Sequence, residues 1–299
     1  TCVADRIFLG VDIGGTKTRV AAVTDDNVVI AMGEEATGHV GGADPGLSRS
    51  LALARRLAGE AEAAGRTIAA VGVGVPEYVD PDGVVRSRLV VAWDRQPADL
   101  FAEIAPVVVE SDVRCGAIAE AVAGAGVGVA SMLYVTVGTG ISSALVIDGR
   151  VWPGHRGEAI ALGELPIDGS LDPGAATTVE DFASGAAVAL RYHHLTGEHV
   201  NGAREVIARS SRHDALAQVI IDTSARAVGA AIAGAVGMLD PEVVVIGGGF
   251  GTSGGQWETV VREAYGSRVR PDAARLVLAH LGTNSAVIGA AIAARRTMA

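Results

Sequence analysis

Two glycine-rich turns each follow an apolar run, Gly14-Gly15-Thr16-Lys17 after IFLGVDI and Gly138-Thr139-Gly140 after LYVTV. Backbone N–H groups in such turns point at anions, and glycine permits a close approach. One turn in each half of the chain fits a nucleotide phosphate tail. Asp12 ends the first run, where a carboxylate can hold Mg²⁺ or its water beside the phosphates. Ordinary hairpin turns would read the same way. A Walker phosphate loop needs G-x-x-x-x-G-K-[ST]; Gly10 to Lys17 gives G-x-x-x-x-G-T-K and leads into a strand, so that reading fails. Gly249 to Gly254 matches G-x-G-x-x-G, but a dinucleotide domain needs further βαβ units and only 45 residues remain after it. A loop opening a helix suits that segment better.

Other reactive side chains carry less. Asp112 stands where an N-cap would start a helix through Ala123. Cys115 lies one turn further along the same face and reads as a buried helix residue, within reach of a thiol reagent by spacing alone. His193, His194 and His199 are too irregularly spaced for a metal site, and Trp93 reads as packing at a domain edge.

The elements that must position these residues alternate between strand and helix. Ile7–Asp12 and Thr18–Thr24 read as strands joined by the first turn, with Val28–Met32 as a third. A helix follows over Pro45–Ala64, its apolar residues at helical spacing and Gly65 just past its end. Ile68–Val75 and Val107–Glu110 read as buried strands. In the second half Leu133–Val137, Ser143–Ile147 and Arg150–Trp152 repeat the meander, and VTVGTGISSALVI aligns with VDIGGTKTRVAAV at an offset of 124 residues. A long helical stretch over His213–Leu239, a strand at Val243–Ile246 and two more helices complete the chain. This is an α/β protein with two domains of related fold.

Composition narrows the function classes. The 299 residues carry 24 basic and 34 acidic side chains, net −10, with no Lys/Arg cluster to suit nucleic acid or an anionic membrane. Two cysteines, Cys2 and Cys115, make neither a disulfide framework nor a four-thiolate zinc site, which predicts a cytoplasmic protein. No signal peptide is evident, since the chain runs from Asp5-Arg6 straight into a strand. Residues 121–147 hold no charge, but glycines divide them into a helix end, a loop and a strand pair instead of a membrane span. Forty glycines are nearly twice the usual share, and Gly229, Gly234 and Gly237 inside a helix predict close packing there.

DIGGTKTRVA, ESDVRCGAIAEA, VTVGTGISSALVIDG, VEDFASGAA and VVVIGGG, in that order, resemble the ROK sugar kinases of the actin-like ATPase superfamily. The resemblance implies two actin-like (ribonuclease H-like) α/β domains with an interdomain active-site cleft. Residues 1–115 would form the N-terminal domain, with the C-terminal helix 286–299 packing back onto it, and 116–285 the C-terminal domain. It implies ATP and Mg²⁺ as cofactors and transfer of the γ-phosphoryl to a sugar hydroxyl, usually the primary one at the 6-position. Asp112 then matches the general base. Gly14, Gly15, Thr16 and Lys17 match the first phosphate motif, with Asp12 on the metal side through water. Gly138, Thr139 and Gly140 match the second, and Gly247, Gly248 and Gly249 the adenosine loop. Glu164 and Glu180 match carboxylates that bind sugar hydroxyls, and Glu77, Ser87 and Ser111 join them on the substrate side. A homodimer is the family expectation.

The chain also departs from that pattern. Ser111 replaces the usual Asn before the base, and Leu165-Pro166-Ile167 follows Glu164 where Gly-His is usual. The zinc-binding cysteines expected before Glu180 are replaced by residues 171–178, so no zinc is expected and the loop must be held by packing or proline rigidity. Glu77 stands where Gly is common, and a carboxylate there could pair with an amino sugar. The leading expectation is a kinase of a hexose such as glucose or an amino sugar. The alternatives are a kinase of a sugar-like cyclitol and a non-catalytic sugar sensor or regulator. A DNA-binding regulator would need a winged helix before Ile7, for which this chain has no room.

Overall fold

The computed structural model describes residues 5–15, 17–37, 45–91, 95–167 and 176–298. Thr16, Trp93, Cys2 and residues 171–175 lie outside them. The chain divides into two units, one made of residues 1–127, 149–159 and 284–299, the other of 128–148 and 160–283.

The first unit is built on a sheet of order β3-β2-β1-β4-β5, comprising β1 (Arg6–Ile13), β2 (Lys17–Thr24), β3 (Val29–Ala36), β4 (Thr67–Val75) and β5 (Val107–Ser111). β1 and β4 are continuous apolar runs because both their faces are covered, and they pair in parallel. β3 alternates between half-buried and exposed positions and ends in Glu34 and Glu35, as suits an edge strand. Helix α1 (Pro45–Ala63) buries Leu53, Ala54, Leu57 and Ala61 on one stripe and ends before Gly65, whose φ is +80°. Helices α2 (Pro97–Phe101) and α3 (Asp112–Ala123) flank β5 in sequence.

The C-terminal helix of the chain, α9 (Ser285–Arg296), belongs to this unit and lies against β1, β4 and α3. Its approach is set by glycine. Gly10 and Gly72 are partners across β1 and β4, and a Cβ on either would collide with α9 backbone, at Val287 and Ala290 respectively. Gly289 on the helix itself lies against the Cys115 carbonyl, again with no room for a Cβ.

The second unit repeats the plan. Within it the sheet runs β10-β9-β6-β7, from β6 (Ser131–Val137), β7 (Ile141–Ile147), β9 (Val243–Gly247) and β10 (Arg275–Leu278), while the short strand β8 (Arg150–Trp152) follows β7 in sequence. Helices α4 (Val179–Ala183), α5 (Gly185–Thr196), α6 (Ala203–Ser210), α7 (Ala215–Leu239) and α8 (Gly255–Gly266) complete it. Leu133, Val135, Phe182, Ile220, Ile232 and Trp257 sit in its core. The helical stretch expected over 213–239 begins at Ala215, because Asp214 caps it by accepting from the Leu216 and Ala217 N–H groups at 3.0 Å. By length and composition α7 is apolar enough to cross a membrane, but 61% of its most apolar window is buried in the protein. Gly229 does allow close packing, with the Val261 carbonyl 2.7 Å from where a Cβ would stand; Gly234 and Gly237 face open space and do not.

The repeat holds for the first strand of each hairpin and slips by one residue in the second. Ile13 pairs with Thr18, whereas Val137 pairs with Ile141, so the second turn is one residue shorter. Shifted accordingly, Thr18–Thr24 and Ile141–Ile147 share nearly the same burial sequence. The ungapped alignment would set exposed Lys17 on buried Ile141, a one-residue error that reverses every face.

Candidate active site

In the first unit, chemistry gathers at the carboxyl ends of β1, β4 and β5. Asp12 pairs with Gly74 on β4, which pairs with Glu110 on β5; the next pair, Val75 with Ser111, stands just before Asp112. Gly74 therefore puts no side chain between Asp12 and Glu110 across the sheet. In open α/β sheets ligands collect at this edge. Ser111, and not Asp112, is the N-cap of α3: its hydroxyl accepts from the Arg114 N–H at 3.4 Å, which corrects the sequence reading. Both residue types cap well, so the sequence left the choice open by one position. Asp112 is the first helical residue, and its Oδ1 accepts from the Val113 N–H at 2.6 Å.

Both acids hold their protons more tightly than usual. Burial raises the Asp12 carboxyl to about 7, helped by the charge of Asp112 and opposed by Arg19 and Lys17. Burial raises Asp112 to about 6, with the Val113 hydrogen bond pulling back and the charge of Glu77 adding to the rise. Two neighbouring carboxylates with raised pKa values suit a divalent cation, which removes their mutual repulsion, and an all-oxygen donor set suits Mg²⁺. Among the described residues no group of three or more His, Cys, Asp or Glu is arranged to hold a metal, so phosphate oxygens and water would complete its shell.

The first glycine turn closes on Gly14, whose N–H donates to the Lys17 carbonyl at 3.0 Å. Lys17 and Arg19 both pair with Glu34, at 3.2 and 2.8 Å. Glu77, expected on the substrate side, is only 3% exposed and is fully engaged. It accepts from the Ser87 hydroxyl and from the N–H groups of Leu89 (2.8 Å), Val90 (2.8 Å) and Val91 (3.0 Å). Ser87 in turn accepts from the Tyr78 N–H at 2.9 Å.

Sequence reasoning missed the buried arginine behind this edge. Arg114 is 1% exposed, pairs with Glu110, and donates to the carbonyls of Val79 (2.6 Å) and Gly157 (3.1 Å). It ties the first turn of α3 to the segment that follows β4. Glu110 and Arg114 at i and i+4 across a helix start were the available signal. Cys115 is fully buried, and burial pushes its thiol well up, so the reagent accessibility suggested by spacing is absent.

In the second unit, the Gly138 N–H donates to the Gly140 carbonyl at 2.8 Å, and Gly185 N–H returns to the Gly138 carbonyl at 2.8 Å. Thr139 is exposed, and its carbonyl accepts from Ala186 N–H. Glu180, in the first turn of α4, accepts from the Ile141 N–H at 2.6 Å and lies against Gly140, where a Cβ would stand 2.6 Å from its carboxylate. The loop after β9 folds onto the same strand end: the Phe250 and Gly251 N–H groups both donate to the Val137 carbonyl. Gly248 has φ +82°, and a Cβ there would collide with Val137; Gly247 lies against the Tyr134 ring, while Gly249 is open. The two glycine motifs of this unit therefore meet at Val137. Glu164 is exposed at the end of a 3₁₀ turn, Leu162–Glu164. The segment in place of the cysteines is held at its described ends by backbone bonds, Val179 N–H to Leu165 (2.9 Å) and Ile167 N–H to Thr177 (3.2 Å).

The model of the ROK family matches residues 8–297. The glucokinase of Halalkalibacterium halodurans is 28% identical over an alignment covering 96% of this chain and 94% of that protein. A ROK hexokinase from Thermus thermophilus superposes with a TM-score of 0.83 at 30% identity, over 98% of this chain and 99% of that one. A ROK family glucokinase from Streptomyces griseus, solved with glucose and AMPPNP, superposes with a TM-score of 0.80 at 25% identity, over 97% and 99%. The chain belongs to the ROK family and has the two-sheet α/β architecture of actin-like ATPases.

Proposed function

We propose that this ROK family protein is an ATP-dependent sugar kinase that transfers the γ-phosphoryl group to the primary hydroxyl of a hexose such as glucose. The observation that carries the reading is the pair Asp12, at the end of β1, and Asp112, just past β5, on either side of β4 at one sheet edge, both with raised pKa and with a glycine turn following Asp12. The likeness to a glucokinase solved with glucose and an ATP analogue supports the same chemistry.

Phosphoryl transfer asks a protein mainly for positioning and charge neutralisation. Asp112 is the general base: Val113 N–H steadies Oδ1, and Oδ2 takes the proton of the sugar hydroxyl as its oxygen bonds to the γ-phosphorus. The bond from that phosphorus to the bridging oxygen breaks, and ADP leaves. Asp12 would hold Mg²⁺ directly or through water, and the bound ion would supply charge neutralisation at the phosphates. Gly14, Gly15, Thr16 and Lys17 hold one part of the phosphate tail, Gly138–Gly140 another, and Gly247–Gly249 the adenosine. Ser111 positions the base by capping its helix, and Glu164 and Glu180 accept from sugar hydroxyls. The reading includes a cytoplasmic homodimer acting on small molecules, which light scattering checks.

With every hydrogen bond of Glu77 spent within the chain, a neutral hexose ranks before an amino sugar. A coupled ADP-release screen over glucose, mannose, N-acetyl hexosamines, amino sugars and cyclitols tests the assignment. ADP release with glucose or mannose is the expected result, and turnover with a cyclitol alone would replace the acceptor class. Sugar binding without ATP consumption would overturn the kinase reading in favour of a sensor.

A further inference from the structure

The segment after β4 is built inside out. Glu77, a carboxylate, is buried there, while Leu89 and Val90 on the chain it holds are 71% and 47% exposed. A buried charge and an exposed aliphatic pair are the two informative departures from ordinary burial, and here one causes the other. Four hydrogen bonds to Glu77 fix Ser87, Leu89, Val90 and Val91, so the aliphatic side chains of Leu89 and Val90 cannot turn inward to the core. The backbone N–H groups of three consecutive residues converge on one carboxylate, as they would on a bound anion.

The place of this clamp matters as much as its strength. Glu77 lies two residues past Val75, the partner of Ser111, so it shares the sheet edge with Asp112. Val90 packs on the first glycine turn, its Cγ1 2.8 Å from where a Cβ of Gly15 would stand. Arg114 holds the chain two residues past Glu77 through the Val79 carbonyl. Ser87 also lines a cavity of about 520 Å³ with Arg88 and Arg95. One buried carboxylate thus joins the helix of the base, the first glycine turn and the wall of a cavity.

We propose that Glu77 is a positioning residue for phosphoryl transfer, holding Ser87–Val91 as a fixed wall at this edge with Leu89 and Val90 against the apolar carbon face of the acceptor sugar. The proposal rests on the kinase reading above and adds the acceptor wall to it. In Glu77→Gln one oxygen becomes an NH₂ group that faces N–H donors, so the clamp opens while side-chain size is kept.

The test compares wild type, Glu77→Gln and Leu89→Ser by amide hydrogen exchange and by steady-state kinetics with the best acceptor from the screen. In Glu77→Gln the amides of Leu89, Val90 and Val91 exchange at least about tenfold faster, the acceptor KM rises about tenfold, and the ATP KM stays within about twofold. Leu89→Ser removes an exposed side chain, so its melting temperature and exchange match wild type while its acceptor KM rises about threefold. Should Glu77→Gln fail to fold, the Leu89→Ser acceptor KM decides the matter. Wild type that transfers phosphoryl while both variants keep the wild-type acceptor KM overturns the wall and leaves the kinase reading standing. Wild type that transfers to no acceptor overturns both, whatever the exchange rates.

Discussion

The two sheets have the same order, β2-β1-β4-β5 in one and β7-β6-β9-β10 in the other, yet they are furnished differently. Where β1 ends in Asp12, β6 offers Thr136. Where Gly10 and Gly72 pair beneath α9, Tyr134 and Val245 fill the matching positions. The first sheet gives up side-chain volume to admit a helix and carries acids at its edge. The second keeps its volume, carries glycine at its edge, and gathers two backbone motifs at Val137. In the proposed reading one plan thus supplies the acids and one glycine turn in the first unit and two backbone motifs in the second.

The sharpest test of that division is Asp112→Asn. Its kcat/KM should fall about 10³-fold, the scale of a lost general base, with little loss of folding. Thr136→Val, at the counterpart of Asp12, should leave kcat/KM within about twofold. In wild type kcat/KM should rise with pH through about 6 as Asp112 ionises, and a profile flat from pH 5 to 8 would remove the base from that role.

Next in size is Gly72→Ala, which drives a Cβ into the α9 backbone at Ala290. It should cost about 3 kcal/mol or more in urea unfolding, because backbone cannot yield as a side-chain tip can. Val245→Ala, its counterpart, leaves a void instead and should cost about 1–2 kcal/mol. Equal losses would mean the two sheets are packed alike.

Gly140→Ala places a methyl against the Glu180 carboxylate and should raise both the ATP KM and the acceptor KM about fivefold with the first unit untouched. A change in acceptor KM alone would assign that turn to the sugar.

The smallest effect concerns stability. The folded pKa of Asp112, about 6, lies above its ordinary 3.8. Its contribution to stability is therefore full below about pH 4 and is lost as pH rises through about 6. Asp112→Asn should gain a few degrees in melting temperature over wild type between pH 4.5 and 7.5, and a gap that shrinks with pH would reverse the sign.

Much of this was legible in the sequence, for physical reasons. β-Branched runs stopped by glycine mark β1 and β6, and acids just past such runs mark Asp12 and Asp112. The hairpin slip was hidden because G-G-T and G-T-G match letter by letter without a gap, while only strand pairing reveals the missing residue. β10 went unread because four residues between polar segments show no periodicity. The partners of Glu77 lie 10 to 14 residues away in a loop without pattern, so its role exists only in three dimensions.

The seat of α9 carries a consequence for synthesis. The first unit includes residues 284–299, so β1 is covered only once α9, which follows the whole second unit in sequence, has been made. The second unit is closed by residue 283 and can mature while its elder sibling is still unsealed. A chain cut before residue 284 would lack the helix that covers Gly10 and Gly72 and would bare that glycine-lined groove.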